Sequence, residues 1–167
     1  TLCAGLALYM LISDGEAGAE VYSAAAEREQ ASIVFDIASA MVQNEPILRE
    51  HTTTFRKSIS VERTGSSYKV LSADAHTKHG LNASAIIFDE LAQQPNRDLW
   101  DVLTTSTGAR TQPLTIAITT AGYDRNSICY QLHDYAIKVR DGIIKDQTFL
   151  PVIYAADEKD DFKLPAT

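Results

Sequence analysis

Two adjacent carboxylates, Asp89 and Glu90, follow the apolar run Ala85-Ile86-Ile87-Phe88. A short continuous apolar run is the pattern of a strand buried on both faces. Such a strand delivers the pair at its C-terminal end, where open α/β sheets bind ligands. The chemistry open to them there is phosphoryl transfer, which needs a cation to neutralise charge and a group to orient the attacking water. Asp89 at the strand tip suits the first task, holding Mg2+ directly or through water. Glu90, one residue on, can point at a terminal phosphate and act as general base, a role worth roughly 10²–10⁴ in rate. A plainer reading stands beside this one: the two carboxylates cap the following turn and its helix.

Two further segments bear on the same chemistry. Thr115-Ile116-Ala117-Ile118-Thr119-Thr120-Ala121-Gly122 reads as a second buried strand whose end carries hydroxyls and then a glycine. A hydroxyl at such a tip can sense a terminal phosphate through a hydrogen bond made in only one state. It can equally satisfy a tight turn. A phosphate-binding loop of the form G-x-x-x-x-G-K-[ST] belongs before the first helix of a nucleotide-binding domain, and the sequence contains none. Thr1, standing directly before a helical pattern, is either the hydroxyl ligand for Mg2+ at the end of such a loop, the residue after it, or an arbitrary terminus.

The elements that must position these residues alternate along the chain. Leu2 to Ile12 predicts a mostly buried helix, ended by Asp14-Gly15-Glu16-Ala17-Gly18. Ala19 to Ser23 is a short strand. In the segment Glu27 to Gln43 the residues Ala31, Val34, Phe35, Ala38, Met41 and Val42 fall on a single helical face, the firmest periodicity in the chain. Thr53 to Val61 and Tyr68 to Ser72 form a β-hairpin joined around Thr64-Gly65-Ser66-Ser67. Asp98 to Thr105 is helical, Leu114 to Thr119 a strand, Asn126 to Arg140 a helix and Phe149 to Ala155 a last strand. Strands separated by helices imply an α/β domain, a mostly parallel sheet with helices on both faces. It spans residues 1–156, and the polar residues from 157 onward read as the start of a linker.

Composition narrows the function classes. The chain has 167 residues, 45% of them hydrophobic, enough for one continuous core. The longest apolar run near its start is too short to span a bilayer. Cys3 and Cys129 do not make a disulfide framework and read as reduced thiols. A formal net charge of −7 argues against the whole surface being a nucleic-acid footprint. Contact with DNA would need a local basic patch or neighbouring domains.

The ordered set of motifs resembles the ATPase domain of the large terminase subunit of tailed double-stranded DNA phages of the HK97-like kind. Ala19-Glu20-Val21-Tyr22-Ser23-Ala24-Ala25 with Arg28, Gln30 and Ala31 looks like the strand and helix after that family's phosphate-binding loop. Ser72-Ala73-Asp74-Ala75, then Gly80-Leu81-Asn82, leading into Ile86-Ile87-Phe88-Asp89-Glu90-Leu91, is similar to its Walker B region. Thr119-Thr120-Ala121-Gly122 matches its coupling motif, and Phe149-Leu150-Pro151-Val152-Ile153-Tyr154 resembles the strand leading toward its linker.

The resemblance implies a P-loop NTPase fold of the ASCE type with a β-hairpin insertion, and an ATP- and Mg2+-dependent motor. Such a motor threads double-stranded DNA into a procapsid through the portal protein, alongside a small terminase subunit and a separate nuclease domain. It works as a homo-oligomeric ring in the host bacterial cytoplasm, without a membrane. By the same resemblance Asp89 holds Mg2+, Glu90 activates water, and Thr119 and Thr120 couple hydrolysis to movement. Lys78 stands where related motors place a basic residue that reaches a neighbouring subunit's phosphate, although it lacks the forked guanidinium of the usual finger. Two other readings of the chain remain: a helicase-like or repair ATPase with the same carboxylate pair, and a non-catalytic module that docks portal or small subunit.

Weaker features point less clearly. His76 and His79 have no partner at zinc-ligand spacing. Arg56, Lys57, Arg63 and Lys69 on the hairpin suit either a DNA backbone or the charged decoration of an exposed sheet edge.

Overall fold

A computed structural model describes residues 1–72 and 80–156. The chain divides into two units, Thr1–Tyr130 and Gln131–Thr167. In the first, six strands form one sheet: β1 (Glu20–Ala25), β2 (Thr53–Phe55), β3 (Ser58–Val61), β4 (Ser66–Ser72), β5 (Ala85–Asp89) and β6 (Leu114–Ile118), in the order β2-β3-β4-β1-β5-β6. β4, β1, β5 and β6 run parallel, while β2, β3 and β4 form an antiparallel meander.

Alternation along β5 shows how the faces are covered. Ala85 and Ile87 join one apolar cluster with α1 (Leu2–Ile12) and α2 (Arg28–Asn44), which contribute Ala4, Ala7, Leu8, Met10 and Leu11, and Val34, Phe35, Ala38 and Val42. Phe88, one step out of phase, turns to the opposite face. There it stacks on Trp100 of α4 (Asp98–Thr105) with ring centroids 4.9 Å apart. Helices therefore lie on both faces of a mostly parallel sheet, as expected. Phe88 is fully buried, and truncating such a ring to alanine costs about 3–5 kcal/mol. On the α2 side Tyr68 meets Phe35 edge-on at 5.2 Å, and its hydroxyl shares a hydrogen bond with buried Ser23 on the neighbouring strand. Burial is the main cause that pushes the Tyr68 phenol above its ordinary pKa.

A polar network ties the N-terminal ends of the strands. The Arg110 guanidinium, whose side chain is 6% exposed, donates to the carbonyls of Gly18 and Asn82 and pairs with Glu16 at 3.2 Å. Glu20 accepts from the Tyr22 hydroxyl at 2.6 Å and from the Asn82 amide at 3.0 Å. Among the described residues no helix is long and apolar enough to cross a membrane.

Three expectations need correction, and one helix appears where none was expected. The segment Thr53 to Val61 is not one arm of a hairpin; it is itself two strands, β2 and β3, turning at Arg56-Lys57. Pro46–His51 forms an unexpected helix, α3, with Pro46 in its first turn and the Glu45 side chain accepting from the Ile47 amide. β6 is not buried on both faces. Among the described residues it is an edge strand of the sheet, with Thr115, Ala117 and Ile118 exposed. Phe149 to Ala155 forms no strand, although its side chains alternate in exposure, with Leu150, Val152 and Tyr154 outward. An alternating sequence supplies the two-sidedness of a strand but not the ladder of backbone hydrogen bonds that defines one. Asp157 to Asp161 lies outside the described residues.

α5 (Ile128–Arg140) begins in the first unit, where the Ser127 hydroxyl accepts from the Tyr130 amide and caps it. Within the second unit the helix ends with Gly142 at φ 73°. Its amide bonds to the Val139 carbonyl, and that of Ile143 to the Lys138 carbonyl, the Schellman pattern. Asp146 then gathers the Tyr135 hydroxyl and the Thr148 amide and hydroxyl, while Tyr135 packs edge-on against Phe149 at 5.1 Å.

Candidate active site

The strand order places the site. The chain leaves β1 through α2 to reach β4 on one side, then returns to β5 on the other. The C-terminal ends of β1 and β5 thus flank the point where the winding changes direction, the place where open α/β sheets bind ligands. Asp89 ends β5 in register with Ile118 of β6. Its Oδ2 accepts a hydrogen bond from the Gln30 side-chain amide at 3.0 Å, and Gln30 sits in the first turn of α2. The start of α1 is close as well. The Cys3 thiol is pushed up chiefly by burial; the chain's amino terminus opposes that shift and the Asp89 carboxylate reinforces it. Thr1, the N-cap of α1, is exposed and makes no side-chain cap bond.

Glu90 leaves the strand in a left-handed conformation, φ 53° and ψ 61°, the only non-glycine residue with positive φ among those described. For an L-residue that conformation costs about 1–2 kcal/mol. Three hydrogen bonds converge on its Oε1: the Thr120 amide at 3.0 Å, the Thr120 hydroxyl at 2.8 Å and the Thr119 hydroxyl at 3.1 Å. The Thr119 oxygen itself accepts from the Ala92 amide at 2.9 Å and lies 3.7 Å from the buried Cys129 sulfur. Thr119 therefore links the turn after β5 to the end of β6. The Thr120 amide is the largest cause holding the Glu90 carboxyl below its ordinary pKa; the two threonine hydroxyls add to it, and partial burial opposes them. Glu90 is thus a carboxylate at neutral pH. Gly122 packs near the same turn, since a Cβ added there would stand 3.4 Å from Ala92 Cβ and 3.8 Å from Cys129 Sγ.

The structure therefore gathers Asp89, Glu90, Thr119 and Thr120 at one end of the sheet. Lys78, and with it His76 and His79, lies outside the described residues. Gln30 is the residue whose contact the sequence did not single out. Its position in the first turn of α2 carries no periodic signal of its own, and only the fold brings it to Asp89.

Residues 1–138 match the family model of the terminase large subunit, ATPase domain. The chain belongs to that family. It is 36% identical over 145 residues to the terminase large subunit of Enterobacteria phage HK97, covering 84% of this chain and 29% of that protein. The crystal structure of the HK97 bacteriophage large terminase is similar at a TM-score of 0.81 and 31% identity, over 96% of this chain and 33% of that one. The large terminase of a thermophilic bacteriophage, in complex with ADP, shares the fold at a TM-score of 0.52 and 10% identity, over 70% of this chain and 29% of that one. The chain thus spans about a third of the length of these terminases. In this chain the acidic pair at the end of β5 and the threonines after β6 lie together at one end of the sheet.

Proposed function

We propose that this chain is the part of a terminase large subunit's motor domain that carries the carboxylates for ATP hydrolysis, which powers the movement of double-stranded viral DNA into a procapsid. The observation that carries the reading is the Glu90 carboxylate fixed by Thr119 and Thr120 at the strand tip beside Asp89. A general base must be ionised before it can take a proton, and it must be fixed where water attacks. All three bonds go to Oε1, so Oε2 has no hydrogen bond from the described residues and is the oxygen that would receive the proton of water.

The donor set fits Mg2+. No group of three or more His, Cys, Asp or Glu able to hold a metal occurs among the described residues. Mg2+ at phosphoryl-transfer sites typically takes one or two carboxylates and fills its shell with water and phosphate oxygens. In this reading Asp89 Oδ1 is the carboxylate oxygen facing the ion, and the Thr1 hydroxyl is the second protein oxygen. The bound ion would neutralise charge on the phosphates. Thr119 and Thr120 hold Glu90 and so tie its readiness to the position of β6, which is how hydrolysis would be felt as movement. Lys78 in this reading serves the phosphate of a neighbouring subunit in a ring. The ring assembles at the portal with the small subunit, in the host cytoplasm.

Glu90→Gln tests the assignment. The amide keeps the size and an acceptor for the threonines but takes no proton. Turnover is expected to fall by about 10²–10⁴, with ATP binding retained, as read by phosphate release and by equilibrium nucleotide binding. Near-normal turnover in that variant would remove Glu90 from the role of base.

A further inference from the structure

We infer that Gln30 is a positioning residue for Asp89: its neutral amide fixes one carboxylate oxygen so that the other presents to a divalent cation bound with nucleotide. This rests on the proposed ATPase reading.

Gln30 Nε2 donates to Asp89 Oδ2 at 3.0 Å, joining the start of α2 to the tip of β5. Asp89 has an extended strand behind it and a sharp left-handed residue ahead of it, so its backbone is fixed while its carboxyl can still rotate about the side-chain bonds. One directed hydrogen bond to Oδ2 stops that rotation. The donor's charge matters as much as its reach. An arginine or lysine here would neutralise the carboxylate and compete with a cation. An amide orients the group and leaves its full negative charge available to an ion at Oδ1. Carboxylates that bind metals are typically held by such outer partners, and losing one costs about 10–100-fold in metal affinity or activity. Gln30 is itself well anchored. It precedes Ala31, Val34 and Phe35, which bury α2 against the sheet, so the amide is carried on a packed helix and not on a loop.

The test uses Gln30→Leu, which keeps the bulk and loses the donor, and Gln30→Ala, which keeps helix propensity should leucine fit poorly. Two readouts are taken on each: the Mg2+ concentration for half-maximal ATP hydrolysis, and the affinity for Mn2+ with ATP measured by electron paramagnetic resonance. Both variants are expected to need about 10–100-fold more metal, with turnover at saturating Mg2+ within a few-fold of the parent and unchanged melting. A purely structural Gln30 would lower melting or turnover without moving the metal requirement. Asp89→Asn separates the inference from the reading beneath it. If Asp89→Asn weakens Mn2+ binding and the Gln30 variants do not, the role of Gln30 is overturned alone. If Asp89→Asn leaves Mn2+ binding unchanged, both fall.

Discussion

The amide of Thr120 donates to Glu90 Oε1 at 3.0 Å, joining the loop after the outer strand to the residue after a central one. The bond does two things at once. It stabilises charge on the carboxylate, and it holds a residue whose backbone is strained. Separating the two effects takes variants that remove one and keep the other.

Glu90→Ala and Glu90→Gly both delete the side-chain bonds, but only glycine adopts φ 53° without a Cβ penalty. The glycine variant is expected to be the more stable of the two by about 1 kcal/mol, the reverse of their order inside a helix. Denaturant midpoints of the two proteins measure it, and an alanine variant of equal or greater stability would show that the left-handed conformation is not strained.

The threonine hydroxyls and the Thr120 amide lower the Glu90 pKa. A group whose folded pKa is depressed contributes stability above its unfolded pKa and loses it as pH falls through the folded one. For a base, the same ionisation sets the acidic limb of the rate profile. Replacing both threonines with valine removes two donors and leaves the backbone amide, so the acidic limb is expected to move toward neutral pH without reaching an unperturbed glutamate's position. The pH dependence of kcat for the double variant decides this; a limb that stays put would assign it to another group.

Arg110 binds at the N-terminal ends of the strands, opposite the ends that carry Asp89 and Thr119, and its role there is structural. Its fork satisfies the carbonyls of Gly18 and Asn82 and pairs with partly buried Glu16. Arg110→Met is expected to cost about 3–5 kcal/mol, because it strands those acceptors and a carboxylate. Arg110→Lys recovers little of that, since an ammonium cannot span both carbonyls in one plane. Chemical denaturation of both variants is the measurement, and full rescue by lysine would refute the fork.

Legibility in the sequence followed burial. α1 occupies Leu2–Ile12 as its apolar run indicated, and α2 and β5 lie within a residue or two of expectation, because each must bury one face or two. The acidic pair could be read from Ile86, Ile87 and Phe88 for the same reason. The turn at Arg56-Lys57 left no mark, since neither residue adopts positive φ and neither glycine nor proline is needed. The outer position of β6 left none either: Leu114, Ile116 and Ile118 read the same at a margin as at a centre. The Gln30 contact with Asp89 joins residues 59 apart in the chain, and local patterning has no term for such a meeting.

Because β6 is an edge strand of the sheet formed by the described residues, the Glu90 carboxylate is anchored to a margin of that sheet. A slip of about one ångström at that margin would stretch bonds of 2.8, 3.0 and 3.1 Å beyond useful hydrogen-bond range and release Glu90. If Glu90 is the base proposed above, whatever leans on β6 from outside has a short mechanical lever on the chemistry.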